Sequence, residues 1–153
     1  MPLFERIPEP LKTLLATMPC VSFPATPCVS GGPLHKRKVC LVSTAGLHLR
    51  TDRPFLGLSA ECRELPATAR PSDIVMSHSS PNFDRSGFHV DWNVAFPLDR
   101  LRELAQAGEV GDVAETHYSF MGATEPERME PHARAAARKM RAEGVDAVLL
   151  VPM

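Results

Sequence analysis

The sequence predicts an α/β fold, a mostly parallel sheet with helices packed on it in a Rossmann-like three-layer arrangement. Three observations predict it. Short apolar runs recur along the chain; amphipathic segments of helical period separate the later ones; and most of the runs close on small, polar or glycine-rich residues. Alternation of strand and helix implies parallel pairing, because each parallel connection needs a crossover.

The first 37 residues form a proline-rich arm, and residues 38–153 form the α/β domain. Fifteen prolines are spread unevenly, with Pro19, Pro24, Pro27 and Pro33 interrupting the arm. Each lacks an N–H donor and restricts its predecessor, so only Pro10 to Met18 has room for a short helix. The remainder is expected to run extended over the domain, anchored by Leu14, Leu15, Val21 and Phe23.

Val39 to Thr44 (VCLVST) is a continuous apolar run ending in hydroxyl residues, the pattern of a strand buried on both faces. Asp73 to His78 (DIVMSH) has the same shape and is read as a second buried strand. His117 to Met121 (HYSFM) is the third and Asp146 to Val151 (DAVLLV) the fourth. Between the second and third, Pro97 to Ala105 carries Leu98, Leu101, Leu104 and Ala105 at helical spacing, opened by proline and closed by Gly108. Between the third and fourth, Glu127 to Glu143 places Met129, Ala133, Ala136, Ala137 and Met140 on one stripe, and Gly144 stops it.

Open α/β sheets bind ligands outside the carboxyl ends of their strands. Those ends are here Ser43-Thr44-Ala45-Gly46, Ser77-His78-Ser79-Ser80, Ser119-Phe120-Met121-Gly122 and Val151-Pro152-Met153. The fourth has no helix after it, so the fold is expected to be incomplete at its C-terminus, with apolar surface exposed there.

The 17 basic and 18 acidic side chains leave a net charge of −1, which provides no field for nucleic acid or anionic lipid. No apolar stretch has the length of a membrane span, and the charged, proline-bearing N-terminus does not read as a signal peptide. A cytoplasmic protein is expected, with no nucleic-acid or membrane partner. Cys20, Cys28, Cys40 and Cys62 show no CxxC or zinc-type spacing, so a disulfide framework is not expected. Cys40 reads as a buried inert thiol in mid-strand and Cys62 as a loop or edge residue.

Candidate chemistry concentrates in Ser77 to Asn93 (SHSSPNFDRSGFHVDWN), which packs His78, Asn82, Asp84, Arg85, His89, Asp91 and Asn93 into one loop. His78 is the catalytic candidate; the alternative is a histidine hydrogen-bonded to loop backbone. Asp84 and Arg85 are candidates for substrate binding, Arg85 through a bidentate carboxylate contact, or they form a local ion pair. Asp91 and Asn93 either bind polar substrate groups or cap the following turn and helix. Ser119 and Gly122 complete the candidate substrate-binding set. The spacing of His78, His89, Asp84 and Asp91 matches no established metal motif, and no metal is expected. The loop Gly46 to Phe55, with His48, Arg50, Asp52 and Arg53, has neither GxGxxG nor GxxxxGK, so it is no phosphate cradle.

Four stretches, VCLVSTAGLHLRTDRPF, DIVMSHSSPNFDRSGFHVDWNVAFPLDRLRELAQAGEVG, HYSFMGAT and GVDAVLLVP, together resemble the selenoprotein B family of glycine/sarcosine/betaine/D-proline reductases. The chain resembles a compact branch of that family. The resemblance implies an oxidoreductase that reductively cleaves a C–N or related bond of a small molecule, with electrons from a dithiol reductant such as a thioredoxin-like protein. It implies a selenocysteine or cysteine redox motif directly after the last strand. The chain is therefore expected to be truncated just before that motif, with an in-frame UGA codon after Met153, to be inactive alone, and to hold no cofactor itself. His78 is then expected to be the general acid to the leaving group. The family's fuller subunits work in complexes with a pyruvoyl-containing partner, so reductase-complex subunits or a homo-oligomer are the implied assemblies. The alternative is an inactive small-molecule-binding or assembly subunit.

Overall fold

A computed structural model describes residues 7–17, 22, 25, 29–80 and 84–153. Its elements in chain order are α1 (Glu9–Thr17), β1 (Lys38–Ser43), β2 (Leu47–Leu49), β3 (Cys62–Pro66), β4 (Ile74–Met76), α2 (Ser86–Val90), α3 (Leu98–Gln106), β5 (Asp112–Val113), β6 (Thr116–Phe120), α4 (Pro126–Ala142) and β7 (Ala147–Val151). The short helix expected in the arm is α1, but the anchor side chains Leu14, Leu15, Val21 and Phe23 lie outside the described residues, as does Asn82.

Strand β1 is the centre of the main sheet. Along one edge it pairs in parallel with β7 over five residues, Val39 opposite Ala147 through Ser43 opposite Val151. Along the other it pairs in parallel with β5 at its start and with β6 at its end. Beyond β6 lies β3, antiparallel, with Cys62 opposite Phe120.

The gap between β5 and β6 has a local cause. The Leu41 N–H, which would point at the missing ladder partner, instead donates to Nδ1 of His117 at 3.0 Å. A side chain thus replaces a strand carbonyl in mid-sheet, which satisfies a buried donor that would otherwise be orphaned.

Alternate residues of β1 serve different cores, as the two-residue period of a strand requires. Val39 and Leu41 join Leu98, Leu101, Trp92 and Phe96 on the α3 side. Cys40 joins Tyr118, Ala136 and Met140 on the α4 side.

The fold corrects several expectations. The sheet is mixed rather than wholly parallel, so a regular Rossmann-like alternation of layers gives way to a smaller sheet with an antiparallel margin at β3. The run Asp73 to His78 is not a strand of that sheet. Only Ile74–Met76 is extended, as β4, and it pairs antiparallel with β2 in a separate two-stranded ribbon. A 3-10 turn at Pro71–Asp73 holds its start, and the pairing runs out at Ser77, whose N–H donates to the Gly46 carbonyl.

On α4 the inward arc is narrower than the predicted stripe: Ala136 and Met140 are buried and Met129 is half-buried, whereas Ala133 and Ala137 face solvent. The fourth strand, β7, is an exposed edge, with Val148 and Leu149 each 45% and Leu150 68% exposed. Its pairing partner β1 covers one edge, and neither helix reaches far enough to cover its faces.

Candidate active site

Three of the four strand ends are knitted together by hydrogen bonds through the sharp turn at Gly46. The Gly46 N–H donates to the Phe120 carbonyl at 2.8 Å, and its carbonyl accepts the Ser77 N–H at 2.9 Å. Gly46 adopts φ 65°, and a Cβ there would lie 3.0 Å from the His78 nitrogen. Glycine is therefore required by both conformation and space.

Gly122 makes the next join. Its φ is 82°, and a Cβ would lie 2.7 Å from the Thr44 carbonyl oxygen. Ser79 Oγ donates to the Met121 sulfur at 3.2 Å. The fourth strand end joins through Thr44, whose N–H donates to the Val151 carbonyl at 3.1 Å and whose Oγ1 accepts the Met153 N–H at 2.9 Å. All four strand ends thus converge on one rim.

The hydroxyls at this rim are mostly committed. Ser43 Oγ donates to the Ala95 carbonyl at 2.8 Å, and Ser119 Oγ accepts the Leu47 N–H at 2.9 Å; both serines are fully buried. Ser119 thereby fixes the path of the chain as it enters β2. Ser77 Oγ lies 2.8 Å from Nε2 of His48, whose Nδ1 lies 2.7 Å from the Leu49 carbonyl. A carbonyl only accepts, so Nδ1 carries the proton and Ser77 donates to Nε2.

His78 is nearly buried, at 7% exposure. Its Nδ1 accepts the Ser80 N–H at 3.1 Å, so the neutral ring carries its proton on Nε2. Burial and, behind it, the Arg85 guanidinium hold its pKa below the ordinary imidazole value. Arg85 also donates to the His78 carbonyl. The result is a neutral imidazole with a fixed tautomer, the state that donates a hydrogen bond rather than one that stores a charge.

Asp84 is exposed and accepts the Ser86 N–H at 2.9 Å; that bond holds its carboxyl below the usual carboxylate range. Asp91 accepts the Asn93 N–H at 2.9 Å, and Asn93 bonds both Asp91 and Asp99. These residues order the loop, and Asp99 extends the network to the Trp92 indole at 2.6 Å. Arg85, His89, Asp91 and Asn93 also line a cleft of about 600 Å³ between β4 and α2. The structure therefore splits the predicted set. His78 and Gly122 sit at the rim, Ser119 beneath it, Arg85 and Asn93 at the cleft, and Asp84 at the start of α2.

Sequence reasoning placed two participants on a loop and gave them no role. His48 is instead buried in the L-H-L alternation of β2. Arg50, noted only as a loop residue, stands on the cleft wall opposite α2.

The described cysteines are far less reactive. Cys40 is fully buried, and burial, with Glu143 and Cys62 behind it, pushes its thiol up to about 12. Cys62 is half-buried on β3 and is likewise pushed up to about 12, chiefly by burial. Both are protonated at neutral pH and so are poor nucleophiles. Among the described residues no group of three or more His, Cys, Asp or Glu is placed to hold a metal ion, and no helix is long and apolar enough to cross a membrane.

The strand ends of this α/β sheet thus gather a neutral histidine, an arginine and glycine-shaped turns where open α/β sheets bind ligands. The chain belongs to the glycine/sarcosine/betaine reductase selenoprotein B family, whose model matches residues 72–152. It is 35% identical over 115 residues to the D-proline reductase subunit gamma of Acetoanaerobium sticklandii, an alignment that covers 73% of this chain and 47% of that protein. The chain thus spans about half the length of the curated relative it matches. No solved structure matches it.

Proposed function

We propose that this chain contributes the substrate-holding and hydrogen-bond-donating part of a reductase of the glycine/sarcosine/betaine/D-proline type, in which a C–N or related bond of a small molecule is cleaved with electrons from a dithiol. The observation that carries this reading is His78, a nearly buried histidine fixed at the rim where all four strand ends meet, within the segment matched by the family. Its Nε2–H donates a hydrogen bond to the leaving nitrogen as that atom gains electron density, and the proton taken up as the bond breaks comes from the dithiol or from water, because a neutral imidazole does not give up its proton. Arg85 keeps the loop in place through the His78 carbonyl and keeps the ring neutral.

Reductive cleavage of this kind needs a selenolate or thiolate nucleophile. Protonated Cys40 and Cys62 do not supply it: Cys40 is fully buried in mid-sheet, and Cys62, paired with Phe120, packs against the core on the α4 side. We assign the nucleophile to a group outside residues 38–153, brought to the rim in the working assembly. This division of labour also accommodates a purely binding or assembly role, and one experiment separates the two. The chain is purified with its native partners and supplied in turn with glycine, sarcosine, betaine and D-proline, with dithiothreitol as reductant. The reductase reading expects dithiol-dependent loss of at least one substrate that stops when this chain is withdrawn. Equal turnover with and without the chain leaves only the assembly role.

A further inference from the structure

The cleft between β4 and α2 combines two features that nothing in the strand-end chemistry uses. Arg50 and Arg85 both line it, and among the described residues neither has a carboxylate partner. The acids at the cleft do not neutralise them. Asp99 is held by Trp92, Asn93 and Arg102, and Asp91 by Asn93. Arg50 spends only Nε, on the Ser72 carbonyl at 3.2 Å, and Arg85 donates through Nη2 to the His78 carbonyl. Each guanidinium carries five N–H donors in a planar fork, so most of their capacity is uncommitted.

The second feature is the apolar wall. Ile74, Met76, Phe88 and Trp92 line the same cleft, and its volume of about 600 Å³ falls within the ~300–1,000 Å³ of small-molecule sites. A bare amino acid such as glycine leaves most of that space and all of that apolar surface unused. Two guanidinium forks without carboxylate partners, beside an apolar wall, suit an anion attached to a hydrocarbon body.

We infer that the cleft binds a carboxylate with an apolar body larger than that of glycine or betaine, and that Arg50 is a specificity-determining residue of this pocket together with Arg85. The inference rests on the reductase reading only in taking that ligand as the substrate; binding itself stands apart from it. Arg85 then has two contacts, the ligand carboxylate on one side and the His78 carbonyl on the other, which couples occupancy of the cleft to the position of His78.

The test is an amide-resolved NMR titration of the full chain with 3-phenylpropionate, acetate and 3-phenylpropylamine. The expected result is saturable perturbation of Val75, Met76 and His89 by 3-phenylpropionate, at least tenfold weaker effects from acetate, and none from the amine. Arg50→Gln should weaken 3-phenylpropionate by roughly tenfold or more, the usual weight of a hydrogen bond to a charged group, with Arg50→Lys in between. Equal binding of the amine, equal binding of acetate, perturbations confined to other regions, or wild-type affinity in a folded Arg50→Gln each overturns the inference. If Arg50→Gln fails to fold, the comparison of the three probes on the wild-type chain still decides. Failure of the reductase reading looks different: the cleft binds as expected, and no substrate is reduced.

Discussion

Strands β1 and β7 are near copies in composition, KVCLVS against AVLLV, lie side by side in register, and yet have opposite environments. Cys40 and Leu41 are fully buried, whereas Val148 and Leu149 beside them are each 45% exposed. The difference teaches that an apolar run specifies a strand but not its burial. Burial comes from what the neighbours place above and below. Strand β1 is flanked on both edges, with α3 and its cluster over one face and α4 over the other. Strand β7 is flanked on one edge only.

The largest expected effect follows directly. Leu41→Ala opens a cavity in the packed α3 side and should cost about 2–5 kcal/mol in chemical denaturation, while Leu150→Ala at the exposed edge should fall within about 0.5 kcal/mol. Equal losses at the two positions would break the contrast.

His117 sharpens it through pH. Burial, with Arg102 behind it, lowers its pKa to about 4, and its Nε2 has no hydrogen-bond partner among the described residues. The unfolded imidazole titrates near 6.5, so as pH falls through 6.5 the unfolded chain takes up the proton first and the folded state loses ground until about pH 4. The loss should approach ~3 kcal/mol across that window, since each pH unit between the two titrations is worth about 1.4 kcal/mol. His117→Phe should flatten that part of the acid limb in pH-resolved denaturation.

Gly122→Ala is expected to cost about 1–3 kcal/mol, since a Cβ meets the Thr44 carbonyl at a positive φ, and to disturb the rim before the core. Far-UV circular dichroism should be retained while the His78 ring resonances move. The smallest effect is expected for Leu150→Ser, which should leave the unfolding midpoint almost unchanged and raise solubility by removing apolar edge surface.

The strands and helices with strong local signatures were legible in the sequence. The VCLVS run, the leucine period of α3 and the proline and glycine that bound it carry their own instructions. The charged CRELP of β3 carried none, because it is a strand only through pairing with β6. The segment DIVMSH misled for the opposite reason: its apolar pattern suits a buried strand of the main sheet, but it pairs with β2 in a separate two-stranded ribbon. At the site, His78 was legible from its place after an apolar run. The His48 to Ser77 bond and the cleft wall at Arg50 were not, since both depend on β2 and β4 meeting across the ribbon.

Hydrogen-bond donation by His78 to the leaving nitrogen at the rim is the central claim. The most direct measurement is the steady-state rate of dithiol-dependent substrate reduction by the proposed reductase assembly carrying His78→Ala. A fall in kcat of roughly 10²- to 10³-fold with KM little changed is the predicted result. An unaltered kcat, with the variant chain folded and assembled, would contradict it.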